Sequence, residues 1–239
     1  RTLMICGEDQ RCSLRTWAHA LIGVGNLDNP SHDGLQRDAS NQLGGFDIKY
    51  GFDLGKGVFM AAYLQMTGED ENAFLPFKFS GVGGFSFDGP WGADGASWRV
   101  IAEYSDTVAF LSPGQQYNVT YNHFRYRSGN RYHNRDIGDR WDSDSKALYL
   151  SGLLNDKDGW GYRIAWQHAR VNLDGAGQNG VSLSKETINL LEGGLTVPVS
   201  IGTMGGAIGV TLWAQDDSPD TPGRKDGKAG IEVNWRTAF

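Results

Sequence analysis

Apolar and polar residues alternate with period two along most of the chain, the pattern of strands with one greasy and one wet face. From Leu43 to Leu54 the even positions are Gly44, Phe46, Ile48, Tyr50, Phe52 and Leu54, while the odd ones include Asp47, Lys49 and Asp53. After Gly55-Lys56-Gly57 the alternation resumes, with Val58, Met60, Ala62, Leu64 and Met66 on one side. Further runs set Phe77, Phe79, Phe85 and Phe87 against Lys78, Ser80 and Ser86, and Trp98, Val100, Ala102 and Tyr104 against Arg99, Glu103 and Ser105. Leu148, Leu150 and Leu154 oppose Tyr149 and Ser151; Trp160, Tyr162, Ile164 and Trp166 oppose Arg163 and Gln167. The stretch from Glu186 to Val197 is apolar on both sides, Ile208, Val210 and Leu212 follow, and Ile231, Val233, Trp235 and Phe239 close the chain. This predicts nine strands, or ten if Arg1 to Cys6 is the stub of another. One segment has helical spacing: Leu14, Trp17, Ala18 and Leu21 share a face, and Ser13 can cap, so a short loop helix is expected over Ser13 to Ile22.

Alternation does not say which face meets a protein core, and a soluble barrel or a sandwich has the same period. Four features favour a membrane β-barrel. The strands match the roughly 9–11 residues of a tilted membrane strand rather than the common soluble length of about 5–6. The polar face carries both signs of charge (Asp47 and Lys49, Arg99 and Glu103, Glu232 and Arg236), which mid-bilayer lipid would penalise by roughly 2–4 kcal/mol each. Aromatics such as Trp98, Tyr104, Trp160 and Trp235 fall near strand ends, where an interfacial belt sits. The connections also alternate: short at Gly55 to Gly57, Asp88 to Ser97, Asn155 to Gly159 and Ser200 to Gly205, and mostly longer over 7–42, 68–75, 107–143, 172–184 and 216–226. Outer-membrane barrels share this asymmetry, with short periplasmic turns and long extracellular loops. His168 and Arg170 lie on the aromatic face, but at the outer end of their strand, beyond the lipid.

Composition agrees. The 239 residues include 34 Gly, 8 Trp, 9 Tyr and 11 Phe, a mixture suited to strands and tight turns and unfavourable to helix interiors. A net charge of -6 without a basic block argues against nucleic acid as a partner. Cys6 and Cys12 flank a turn-like Gly7-Glu8-Asp9 and are candidates for a structural disulfide in an oxidising compartment. No Cys/His spacing suggests zinc, and neither a nucleophile elbow nor a phosphate loop is present, so no metal, cofactor or enzymatic activity is expected. Without an initiator Met or a signal sequence, the chain reads as a single barrel domain over 1–239, either a mature product or the latter part of a longer protein, the second being favoured.

Particular segments carry a family resemblance. Asn41-Gln42-Leu43-Gly44-Gly45-Phe46-Asp47, Gly68-Glu69-Asp70-Glu71, Trp98-Arg99-Val100-Ile101-Ala102-Glu103-Tyr104, Arg135-Asp136-Ile137-Gly138 and Asp142-Ser143-Asp144-Ser145 occur in that order. Together they resemble the Wzi-type capsule-assembly outer-membrane proteins over nearly the whole chain. Phe239, preceded by alternating apolar residues, resembles the C-terminal signature read by the bacterial barrel-assembly machinery. The resemblance implies a monomeric outer-membrane barrel of about 18 strands, of which this chain supplies about ten. It also implies contact with outer-membrane lipid and lectin-like association with capsular polysaccharide at the surface. The stretch 117–142 offers aromatic faces for stacking on sugars and planar charged groups for hydroxyls and carboxylates. Its candidates are Tyr126, Arg127, Arg131, Tyr132, His133, Arg135, Asp136, Arg140 and Trp141. Those aromatics can equally pack on one another, with the arginines paired to Asp136, Asp139 and Asp142. The alternative function is a diffusion channel, lined by Asp47, Lys49, Arg99, Glu103, Arg163, Glu232 and Arg236.

Overall fold

The computed structural model describes residues 3–6, 12–16, 23–26, 40–72, 75–92, 95–110, 116–120, 131–132, 135–136, 139–177, 179–201, 204–217 and 226–238. Among them the fold is all-β and antiparallel. The strands are β1 (Leu3–Cys6), β2 (Cys12–Thr16), β3 (Gly23–Asn26), β4 (Ser40–Gly55), β5 (Val58–Asn72), β6 (Leu75–Trp91), β7 (Ala96–Phe110), β8 (Arg131–Tyr132) and β9 (Arg135–Asp136). After these come β10 (Lys146–Asn155), β11 (Gly161–Val171), β12 (Glu186–Ile201), β13 (Met204–Asp217) and β14 (Gly227–Ala238). Ten strands form one sheet in the order β14-β13-β12-β11-β10-β7-β6-β5-β4-β3, while β1-β2 and β8-β9 are separate pairs. Each long strand pairs with its neighbours in sequence, the up-and-down order of a barrel wall.

The register aligns the alternation across strands. One row runs Tyr50, Ala62, Phe85, Ala102, Leu150, Trp166, Leu191, Ala214 and Ala229; the next runs Phe52, Met60, Phe87, Val100, Gly152, Ile164, Gly193, Leu212 and Ile231. Every member is apolar or glycine. The opposite face carries Lys49, Tyr63, Gly84, Glu103, Tyr149, Gln167, Leu190, Gln215 and Lys228 in one row.

Exposure runs opposite to that of a water-soluble protein. Ile164 is 62% and Ile231 71% exposed on the apolar face, whereas Ser105, Ser151 and Gln167 on the polar face are buried. A contiguous apolar surface of this extent is far larger than the few hundred Å² that a soluble monomer usually leaves open. The polar face is knit across strands. The Tyr63 hydroxyl donates to Glu103 Oε2 at 2.6 Å, crossing β6 at Gly84. A Cβ on Gly84 would lie 2.7 Å from that hydroxyl, so only glycine lets the ring pass. Arg99 meets Asp88 at 3.6 Å and Arg163 meets Glu192 at 3.0 Å.

Three expectations are corrected. Ser13–Thr16 are strand rather than helix: Cys12–Thr16 pair with Leu3–Cys6, and no helix occurs among the described residues. A single amphipathic stretch of about ten residues is marginal as an isolated helix, whereas pairing satisfies its backbone donors. Residues 17–22 lie outside the described set. The tenth strand of the main sheet is therefore Gly23–Asn26, not the segment from Arg1 to Cys6. Finally, 68–75 is not a long loop, because β5 runs to Asn72 and β6 begins at Leu75. There the pairing outlasts the hydrophobic pattern that marks the rest of the strand.

Candidate functional site

Connections at one end of the sheet are short, at 56–57, 92–95, 156–160 and 202–203, while 111–145, 172–185 and 218–226 at the other end are longer. The long-loop end holds the densest polar structure of the described residues. It begins with β7, which carries two extra residues between the pairs Gly81↔Asp106 and Phe79↔Phe110. Asp106 Oδ1 accepts the Val108 N–H at 3.0 Å within this bulge. Thr107, on the polar face, accepts Ser145 N–H at its Oγ1 (2.9 Å) and donates to the Asp142 carbonyl (2.6 Å). The bulge thus docks segment 139–145 onto the wall, in keeping with the tendency of bulges to re-aim side chains.

Asn179 ties the second long loop to the same segment. Its Nδ2 donates to the carbonyls of Trp141 (2.9 Å) and Ser143 (2.5 Å), and its Oδ1 accepts Val181 N–H (2.8 Å) and Ser182 N–H (3.1 Å). Both donors and both acceptor positions of the carboxamide are used. Asp142 Oδ2 accepts Gly180 N–H at 2.5 Å, and Asp144 Oδ2 accepts Asp174 N–H at 2.9 Å. The Asn118 amide donates to Asp174 Oδ2. Asn118, Asp142, Asp144 and Asn172 have φ between 52° and 66°, a left-handed conformation that Asn and Asp tolerate better than most side chains.

Burial shapes the electrostatics. Asp144 is fully buried, and its carboxyl is raised to about 7, first by loss of hydration and then by hydrogen bonding and repulsion from Asp174. Asp174 N–H and Lys185 act in the opposite direction. Asp139 is also raised by burial, against the opposing hydrogen bonds from Trp141 N–H and the Ser105 side chain.

Of the sugar-binding candidates, Arg140 and Trp141 are fully described. Trp141 is 8% exposed and packs with Ala147, Ala169, Val171 and Ile188, small and branched residues at the long-loop end of the wall. Arg140 is exposed; its guanidinium lies 5.3 Å from the centre of the Trp141 ring, and its Nη1 reaches Gln167 Oε1 at 3.4 Å. Trp141 therefore supports Arg140 rather than presenting an open face. Arg131, Tyr132, Arg135 and Asp136 form the β8–β9 pair, with Arg131 opposite Asp136 and Tyr132 opposite Arg135. Tyr126, Arg127 and His133 lie outside the described residues, as does Phe239. Cys6 and Cys12 face each other in the β1–β2 register. Thr107, Ser145 and Asn179 are absent from the sequence candidates; the Asx-rich stretches at 139–144 and 172–179 were the available signal.

The family described as Capsule assembly protein Wzi matches residues 1–227. A Klebsiella pneumoniae protein described as an uncharacterized 55.8 kDa protein in the cps region is 37% identical over 78 residues, which is 32% of this chain and 16% of that protein. The matched part thus spans about a sixth of that relative's length. No solved structure matches the chain.

Proposed function

The chain belongs to the Wzi capsule-assembly family, and on that premise we propose that it forms part of an outer-membrane β-barrel that holds capsular polysaccharide at the cell surface without catalysing a reaction. The inverted exposure of the sheet carries the membrane half of this reading: its apolar rows need lipid as their neighbour, and its long-loop end then faces outward. The tied loops support the binding half. A mouth already ordered by Asn179, Asp142 and Thr107 loses little further entropy when a polymer docks. Arg140, exposed and held over Trp141, follows Arg127, Arg131 and Arg135 in the sequence and suits carboxylate-bearing sugars.

Replacing Arg131, Arg135 and Arg140 together by Gln in the full chain should reduce binding of purified acidic capsular polysaccharide at least about tenfold, since hydrogen bonds to charged groups carry about 1.5–3 kcal/mol each. Unchanged binding by a folded variant rejects this site.

The paired charges Arg99–Asp88 and Arg163–Glu192 favour a second reading, a diffusion channel lined by the polar face. Single-channel conductance in planar bilayers distinguishes the two: steady ion current supports the channel, and its absence leaves the polysaccharide-holding barrel.

A further inference from the structure

The binding reading leaves one group of charges unused. In β11, Ile164, Trp166, His168 and Arg170 share the apolar face and run from the middle of that face to its long-loop end. Arg170 is exposed, and no hydrogen bond or ion pair meets its guanidinium among the described residues. Its register partner across β10 is Lys146, whose Nζ lies 3.2 Å from Asp106. Lys146, Arg170 and Asp106 together carry one net positive charge just beyond the last apolar row, while Asp216, the carboxylate in the row of His168, lies two strands away across Asn189. His168 stacks on Trp166, with 6.0 Å between ring centroids, and its Nδ1 is 2.9 Å from Asn189 Oδ1. That contact fixes the imidazole at the boundary between the apolar rows and the charges.

On a face that meets lipid, the groups at this height are headgroups. The planar guanidinium fork matches phosphate oxygens in pairs, and an adjacent ammonium adds a point charge. We propose that Arg170 and Lys146, with His168 beneath them, clasp the phosphate of an outer-leaflet lipid headgroup, while the acyl chains lie along Trp166 and Ile164. This rests on the membrane reading above. Charge complementarity and continuity with the apolar rows select a phospholipid or phosphorylated glycolipid over the carboxylates of a surface polymer, which the mouth loops address.

The test uses the full chain in maltoside micelles, which contain no phosphate, with phosphatidic acid and diacylglycerol as probes and native mass spectrometry to count bound lipid. Wild type should retain phosphatidic acid and not diacylglycerol. Retention should fall about tenfold in Lys146→Ala/Arg170→Ala. Arg163→Ala, on the opposite face, should behave as wild type. Arg170→Gln alone, at an exposed position, provides the same comparison if the double substitution impairs folding. An excess of inorganic phosphate should not displace the lipid, because the chains contribute to its hold; full displacement would assign the site to free phosphate and overturn the proposal. Equal retention by wild type and the Arg170 variants also overturns it, as does equal retention of diacylglycerol. Carbonate extraction of wild type from vesicles separates the two levels. A protein that washes out refutes the membrane reading and the clasp together, whereas a retained protein with unchanged lipid binding refutes the clasp alone.

Discussion

Replacing Asn179 by Ala removes the side chain that makes the most bonds between the two long loops, alongside those of Asp142 and Asp144. Four contacts disappear: the Trp141 and Ser143 carbonyls lose their donor, and Val181 N–H and Ser182 N–H lose their acceptor. Trp141, Ser143 and Ser182 are buried, and at the low end of the usual range each backbone group that loses its bond to Asn179 costs about 1 kcal/mol. Val181 is exposed, and water can satisfy its N–H at little cost. The sum is about 3 kcal/mol of local stability, equivalent to roughly a hundredfold increase in the opening equilibrium of the mouth. Hydrogen exchange of the full chain in detergent, read by mass spectrometry, measures that opening peptide by peptide. Peptides covering 139–145 and 179–184 should exchange about a hundredfold faster, while those from the middle of β11 stay unchanged. Asn179→Asp is the sharper variant: it keeps acceptors for Val181 and Ser182 but sets a carboxylate against two carbonyl oxygens, and should loosen the loops at least as much as Ala. Exchange within about threefold of wild type, or acceleration spread evenly over the strands, would refute the assignment of Asn179 as the tie.

Asp144 adds a pH dependence. Its folded-state carboxyl is raised to about 7 from the ordinary value of 3.8, so between those values the folded loops hold a proton that the unfolded chain releases. Their stability is greatest below the lower value and declines as pH rises from there to the higher one, so protection of 139–145, corrected for intrinsic exchange, should fall between about pH 4 and pH 7 and level off above it. Asp144→Asn should flatten that profile, and a flat wild-type profile contradicts the reasoning. On the apolar face, Ile164→Arg should cost about 2–4 kcal/mol in urea titrations of refolding into vesicles. Thr211→Arg, on the polar face opposite Glu232, should cost less than about 1 kcal/mol; equal effects would mean that both faces see the same solvent. The peptide containing Cys6 and Cys12 should show no alkylatable thiol before reduction and two after it, because the residues are register partners. Labelling of the unreduced chain would exclude the bond.

The nine long strands from β4 to β14 were readable because one solvent requirement acts on every second residue along them. Glu69 to Asn72 lack that imprint, and there the strand continues in register with Lys78, Pro76 and Leu75, a pairing that apolar periodicity does not register. The misread helix at Ser13 has a related cause: Leu14, Trp17, Ala18 and Leu21 satisfy a helical spacing, but the pairing of Cys12–Thr16 with Leu3–Cys6 decides the outcome. The mouth was less legible. Asp142, Asp144 and Asn179 look like residues of solvated turns, and their partners lie more than thirty positions away in several cases, as in Asn179 with Ser143 and Thr107 with Ser145. Arg140 could be selected by chemistry, but the burial of Trp141 beneath it depends on Ala147, Ala169, Val171 and Ile188 from three different strands.

Because Asn179 and Asp142 bond one long loop to the other, the two are a single inheritable unit. A change of specificity introduced by grafting segment 139–145 from a relative, without its matching 172–185, would import side chains whose counterparts are missing. Diversification at this surface is therefore expected to proceed by paired exchange, and chimeras cut between the two segments should be the ones that fail to assemble.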